Sequence, residues 1–401
     1  MSDPNSSRDS GSPHAPPFGN SNYPNSYRIG AGRITELASL CEELNMRRPL
    51  IVTDPGILGL PWFAPIEAAL SAAGLEPAVF SEIEANPAAP QIDAGRSAAN
   101  AHRADGCILI GGGSAMDAGK CIALLAKNPG SVLDYEDVGD NWRRADADLI
   151  LPTIAIPTTA GTGSEVGRAA VILDPAEQNK KIIFHPAMQP DAVLADPELT
   201  LGLPPGLTAA TGMDALAHCF EAWCAPGYHP MADGIALEGM RLIRENLVRA
   251  FDDGADLEAR THLIMAAAMG ATAFQKGLGL IHALSHPVGG MTGLHHGTAN
   301  AIFHPYVMVH NREVIEARMP RLAQAIGLEG ERFEDVLEWV LGLRSRLGLP
   351  NTLEGIVSED QIAALVPMAA ADPSLATNPK PCSHAELERV LRKSIEGDLS
   401  A

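Results

Sequence analysis

Cys107-Ile-Leu-Ile-Gly-Gly-Gly-Ser-Ala-Met-Asp-Ala-Gly-Lys120 decides the fold class. A short apolar run bounded by glycine reads as a buried strand, and the residues from Ser114 onward read as a helix. Between them Gly111, Gly112 and Gly113 let the backbone come close to a ligand. The helix that starts there points free amides and the positive end of its dipole at whatever lies above, and phosphate is the natural occupant. A bare strand-to-helix connection would use the same glycines, so this turn alone does not separate the two readings. Its spacing fits neither the Gly-x-Gly-x-x-Gly fingerprint nor a Walker loop.

The alternation continues on both sides. Leu50-Ile-Val-Thr-Asp54 reads as a strand that ends in an acidic residue and is turned by Pro55 and Gly56. Ile66 to Gly74 and Ile92 to Ala104 read as helices, and Pro77 to Phe80 as another strand. Ile150-Leu-Pro-Thr-Ile-Ala-Ile156 is a further strand, followed by the small-residue turn Pro157-Thr-Thr-Ala-Gly-Thr-Gly-Ser-Glu165. Strands alternating with helices predict a parallel sheet covered by helices. Ligands of such sheets lie at the carboxyl ends of the strands, where both turns and Asp54 fall. The second turn therefore shifts the reading towards a nucleotide, with Asp54 placed to accept from a ribose diol.

From Pro204 and Pro205 the pattern becomes helical, and Ser358-Glu-Asp-Gln and Ser383-His-Ala-Glu read as capping boxes of two late helices. Five of the 13 histidines, His218, His282, His286, His295 and His296, fall with Asp214 in two short stretches of this half. His282 and His286 are four apart and share one helical face, and Pro287 with Gly289 and Gly290 is expected to stop that helix and turn the chain through His295 and His296. Thr211-Gly-Met-Asp-Ala-Leu-Ala-His218 repeats the spacing with Asp214 and His218. One such histidine would be read as a hydrogen-bonded core residue. A carboxylate and several imidazoles converging from two helices and a turn read as a divalent metal site of the kind that suits zinc or ferrous iron. Ala283, Leu284 and Ser285 fill the gap between His282 and His286, so this is not a His-Glu-x-x-His protease helix. Spacing alone does not say which histidines of the set are ligands.

A chain of 401 residues, 46% hydrophobic, can bury a large core and divide into two domains. Its 29 basic and 49 acidic residues give a net charge of -20, which speaks against nucleic acid and anionic membranes as partners. Six scattered cysteines without a Cys-x-x-Cys pair read as reduced packing residues of a cytoplasmic protein. Residues 1–26, rich in Ser, Asn, Pro and Gly, read as a disordered extension without an apolar span, and regular structure is expected from Ile34.

Taken in order, Gly111-Gly-Gly-Ser-x-x-Asp-x-x-Lys120, Pro157 to Glu165, Gly212-Met-Asp-Ala-x-x-His218, His282-x-x-x-His286-Pro and His296-Gly resemble the motifs of the iron-containing (group III) alcohol dehydrogenases. The resemblance runs from about Tyr27 to the C-terminal helices. It implies an α/β dinucleotide-binding domain over 27–202 and an all-helical metal-binding domain over 203–401, with NAD and one divalent ion, iron or zinc, in the cleft between them. Asp214, His218, His282 and His296 resemble the metal ligands, and His286 the histidine beside the nicotinamide. Asp54 resembles the adenosine-ribose ligand. Asn86, Gly111, Gly112, Gly113, Ser114, Thr158, Thr159, Thr162, Ser164, Val166 and Lys180 resemble the other cofactor contacts, with Lys181 standing beside Lys180.

The implied activity is NAD-linked interconversion of a small alcohol or diol and its carbonyl compound, by a homodimer or larger homo-oligomer. Two other classes compete with it. A dehydroquinate synthase-like lyase would use the same fold, metal and NAD without net reduction, and a non-catalytic NAD-binding protein would turn over no alcohol. The dehydrogenase motifs speak against the first, and the full ligand set against the second.

Overall fold

The computed structural model describes residues 19–21, 25–177 and 179–400. Its strands all lie in the first half of the chain: β1 (Gly19–Ser21), β2 (Ser26–Ile29), β3 (Pro49–Val52), β4 (Ala78–Phe80), β5 (Gly106–Gly111), β6 (Thr153–Pro157), β7 (Ala169–Asp174), β8 (Asn179–Phe184) and β9 (Ala192–Ala195). Seven of them form one sheet in the order β1-β2-β9-β6-β5-β3-β4, in which only β1 runs antiparallel to its neighbour.

The continuous apolar character of the central strands follows from burial on both faces. Cys107 and Leu109 of β5 enter one core with helices α4 (Ala89–His102) and α5 (Gly113–Leu125). Ile108 and Ile110 enter the other with α1 (Leu37–Glu43) and α3 (Phe63–Ala72). The chain leaves β3 towards β4 at one edge but leaves β5 towards β6 on the opposite side. The carboxyl ends of β3 and β5 therefore flank the point where the winding reverses, which is where doubly wound sheets bind their ligands. Asp54, first residue of the turn into the short helix α2 (Pro55–Leu58), and the Gly111 turn stand at those two ends.

Helices make up the rest: α6 (Pro205–Cys224), α7 (Pro230–Asp252), α8 (Leu257–Ala273), α9 (Leu280–Thr292), α10 (His296–Ile315), α11 (Met319–Ile326), α12 (Phe333–Arg346), α13 (Glu359–Ala371) and α14 (His384–Glu396). The predicted capping boxes open α13 and α14. From Leu263 onward helix α8 is apolar all round because it serves two cores. Leu263, Ala266 and Ala267 face the helical one, while Ile264, Ala268 and Ala271 face the sheet. No single helix among the described residues is long and apolar enough to cross a membrane. Helices α8 and α9 would qualify only as a pair bent by 111°.

Two expectations are corrected, and one element was not foreseen. Helix α9 does not stop at Pro287 but runs on to Thr292, where Gly293 in the left-handed region (φ 72°) ends it. Proline removes one backbone donor and crowds the preceding turn, and here the packed helix tolerates that loss. The antiparallel β7–β8 hairpin lay hidden because its residues are only half buried on one face. Regular structure starts before Ile34, since β1 and β2 border the sheet ahead of it. The rest of the proposed disordered extension, residues 1–18 and 22–24, lies outside the described residues.

Candidate metal and cofactor site

Helix α6 presents Asp214, His218 and Glu221 at i, i+4 and i+7, a single stripe that faces α9 and α10. Gly297, just after His296, lets α10 start against α6, because a Cβ there would lie 2.1 Å from the Ala210 carbonyl oxygen. The Asp214 Oδ1 atom is 3.8 Å from His218 Nε2, 3.8 Å from His282 Nε2 and 3.5 Å from His296 Nε2. Ligand atoms about 2.1 Å from one tetrahedral ion stand roughly 3.4 Å apart, so these spacings fit one divalent cation with little adjustment. Asp214, His218 and His282 are buried and also offer ligand atoms within 4.8 Å of one another. His295, exposed at the start of α10, stays outside this set, and His296 enters it.

Electrostatics suits a cation too. Burial alone would raise the Asp214 carboxyl, but the facing imidazoles of His218, His296 and His282 hold it below its ordinary range. Burial pushes His218 down to about 4 and His296 well below its usual value, which keeps their lone pairs free to ligate. For His282 burial is outweighed by Glu221 and Asp214, which lift it to about 9. Glu221 is the residue that sequence reasoning missed at this end. Its Oε2 lies 2.6 Å from His282 Nδ1 and its Oε1 accepts from the Ile281 amide at 2.6 Å, so it fixes the ring with Nε2 turned inward. Its spacing on α6 was the available signal.

His286 takes a different partner. Its ring stacks on His296 at 5.2 Å and 12°, and its Nδ1 lies 2.8 Å from Asp372 Oδ2. Asp372 follows α13, 86 residues away, and nothing in the spacing announced it.

The sheet side of the cleft is made mainly of backbone. A Cβ on Gly112 would lie 3.3 Å from the Thr159 side chain, and one on Gly113 only 2.6 Å from Thr162 Cγ2, so the two predicted turns touch. The Thr158 amide donates to the Gly111 carbonyl at 3.0 Å. Gly161 packs on Thr211 of α6, and Gly163 (φ 62°) packs on Ala267 and Ala271 of α8, which presses the second turn against the helical domain. Gly112, Gly113 and Ser114 open α5, whose first amides face the crevice at the switch point. Asp54 Oδ1 accepts from the Gly56 amide at 2.9 Å and so caps its own turn, while Oδ2 is directed at Gly111. Asn86, exposed and left-handed (φ 57°), lies in the loop beyond β4 at the same end of the sheet.

Some nominated side chains have other work. The Ser164 hydroxyl donates to Asp117 Oδ1 at 2.5 Å and accepts from Lys120 Nζ at 2.6 Å, and Lys120 also donates to the Ala169 carbonyl. The lysine of the first motif and the serine of the second thus clamp the turns together. Val166 is buried in the same clamp. The β8 alternation separates the adjacent lysines: Lys181 pairs with Glu177 at 2.6 Å and Glu136 at 3.5 Å. Lys180 faces the cleft, where burial lowers it against the pull of Asp117, Asp214 and Asp372.

The model of the iron-containing alcohol dehydrogenase matches residues 24–197, and that of the Fe-containing alcohol dehydrogenase family, C-terminal, matches 208–395. The chain belongs to the iron-containing alcohol dehydrogenase family. Among curated relatives of this family, 4-hydroxybutyrate dehydrogenase of Cupriavidus necator is 42% identical over 91% of this chain and 96% of its own length. Alcohol dehydrogenase 4 of Saccharomyces cerevisiae is 35% identical over 92% and 96%. The crystal structure of 1,3-propanediol oxidoreductase superposes with a TM-score of 0.86 at 29% identity, covering 94% of this chain and 99% of that one. Sulfoacetaldehyde reductase of Bifidobacterium kashiwanohense, in complex with NAD+, gives 0.85 at 27% identity over 96% and 99%. This iron-containing alcohol dehydrogenase is accordingly an NAD-linked, metal-dependent oxidoreductase acting on small alcohols or the matching carbonyl compounds.

Proposed function

We propose that Asp214, His218, His282 and His296 hold the divalent ion, and that the enzyme interconverts a short terminal alcohol and its aldehyde. The convergence of one carboxylate and three imidazoles within 3.5 to 3.8 Å carries this reading. When bound, the ion supplies Lewis acidity that acidifies an alcohol oxygen, and NAD supplies the hydride acceptor. Glu221 orients His282. His286 takes the alcohol proton and passes it towards solvent, with Asp372 holding its Nδ1.

On the sheet side, the amides of Gly112, Gly113 and Ser114 cradle the pyrophosphate and Asp54 takes the adenosine ribose. Thr158, Thr159 and Thr162 line the path towards the nicotinamide, where Lys180 enters from the hairpin. Asn86 borders the adenosine end. Ser164 and Val166 act on the cofactor by fixing their turn. The relative from Cupriavidus necator makes 4-hydroxybutyrate the first substrate to try. The free cysteines support a cytoplasmic reading. The sheet ends in edge strand β1, which supports pairing with a second copy.

The test is a screen of 4-hydroxybutyrate, 1,3-propanediol, ethanol and their aldehydes with NAD(H), after loading with ferrous iron or zinc. Formation or loss of NADH that disappears on chelation is expected. Binding of NADH without turnover of any of them would remove the catalytic reading.

A further inference from the structure

Asn300 lies one helical turn beyond His296 on α10 and is wholly buried. Its Nδ2 donates to Asp214 Oδ1 at 2.8 Å and lies 3.3 Å from His282 Nε2 and 3.2 Å from His296 Nε2. One amide nitrogen thus faces three of the four atoms assigned above as ligands. Turning the amide over would set its oxygen against a carboxylate oxygen, so the nitrogen belongs where it is.

Lone pairs decide what those contacts can do. A carboxylate oxygen carries two, so Asp214 Oδ1 can accept an N–H and bind an ion together. An imidazole nitrogen carries one, so His282 and His296 cannot do both. We propose that Asn300 is a positioning residue of the metal site. Its bond to Asp214 persists in the loaded enzyme and sets the direction of the carboxylate, whereas its contacts with the two imidazoles give way to the ion. Glu221 steadies a ligand from the far side of its ring, but Asn300 acts on the coordinating oxygen itself. The inference rests on the ligand assignment above.

Zinc affinity of the full chain, measured by chelator competition, tests it. Asn300→Leu keeps the volume and removes the donor; Asn300→Ala serves if the leucine variant is insoluble. Either should bind zinc about 10- to 100-fold more weakly, the usual scale for a lost partner of a ligand. The ligand-field bands of the cobalt-substituted variant should shift, while NADH affinity, read by fluorescence, should match that of the unmodified enzyme. Unchanged zinc affinity and unchanged cobalt bands would overturn the proposal, and so would a parallel loss of NADH binding, which would make Asn300 a packing residue. Zinc binding that survives Asp214→Asn would instead overturn the ligand assignment, and Asn300 with it.

Discussion

The two walls of the cleft are built on opposite plans. The helical wall offers side chains: Asp214, His218 and Glu221 from one stripe of α6, His282 and His286 from α9, and His296 and Asn300 from α10. The sheet wall offers backbone, with Gly113 so close to Thr162 that a side chain there would force a shift and Gly112 nearly as close to Thr159. Where side chains make the site, residue type and spacing reveal the chemistry. Where backbone makes it, polar side chains nearby are released for the framework, as Ser164, Asp117 and Lys120 show by bonding to one another.

The sharpest way to break this contrast is on α9, where two histidines four residues apart are assigned different work. His282→Ala should lose its metal and with it roughly a thousandfold or more in turnover, since Lewis acidity is worth several kcal/mol. His286→Ala should keep its metal and lose ~10²-fold, the scale of a proton-transfer group. Metal analysis beside steady-state kinetics separates them. Equal loss of metal in both variants would make His286 a ligand, and full turnover in the second would leave it a mere partner of Asp372.

The sheet wall should respond differently. Gly113→Ala would set a Cβ 2.6 Å from Thr162 Cγ2. Overpacking of that kind costs about 1–3 kcal/mol, so NAD should bind roughly tenfold or more weakly while metal content stays the same. A variant with normal NAD affinity would show that the two turns need not touch in order to hold the cofactor. Asp54→Gly should narrow the preference for NAD over NADP, because its carboxylate would repel the added phosphate. Equal use of both cofactors by the unmodified enzyme would reduce Asp54 to the turn cap it also is.

How much of this was legible depended on the same contrast. The α/β class came from the period of the strands, and the candidate metal cluster from His and Asp at four-residue spacing, because both patterns record a single buried face; the choice of ligands within the cluster came from the family motifs. Glu221 was readable in principle from its spacing, three residues beyond His218, but that spacing gains meaning only when a histidine from another helix meets it. Asp372 could not be read at all, since it reaches His286 only through tertiary folding. Pro287 misled because helix-breaking is a local tendency, and packing of α9 on both sides overrides it. The β7–β8 hairpin went unseen for the converse reason, a weak apolar alternation that only its contact with α5 and α9 makes meaningful.

Glu165 closes the comparison as a buried carboxylate within the second turn of the backbone-built wall, and it has the smallest expected effect. It is 3% exposed, and burial raises its carboxyl to about 7 against the pull of Lys120 and the Tyr27 hydroxyl. Burial, and then the Glu165 charge, raise Tyr27 in turn, so neither group welcomes ionisation. In the unfolded chain the same carboxyl titrates near its ordinary value of 4.5. Between those two values the native state keeps a proton that the unfolded state has lost. Stability therefore falls as pH rises through this window, by at most roughly 3 kcal/mol, and levels off above it. Glu165→Gln has no proton to lose, so its melting temperature should vary less between about pH 5 and pH 8 than that of the unmodified enzyme, and should exceed it at the upper end. Parallel melting curves across that range would mean that Glu165 is ionised in the fold and paired with Lys120. The second turn would then hold an ionised carboxylate buried inside it, and the contrast with the helical wall would be one of degree.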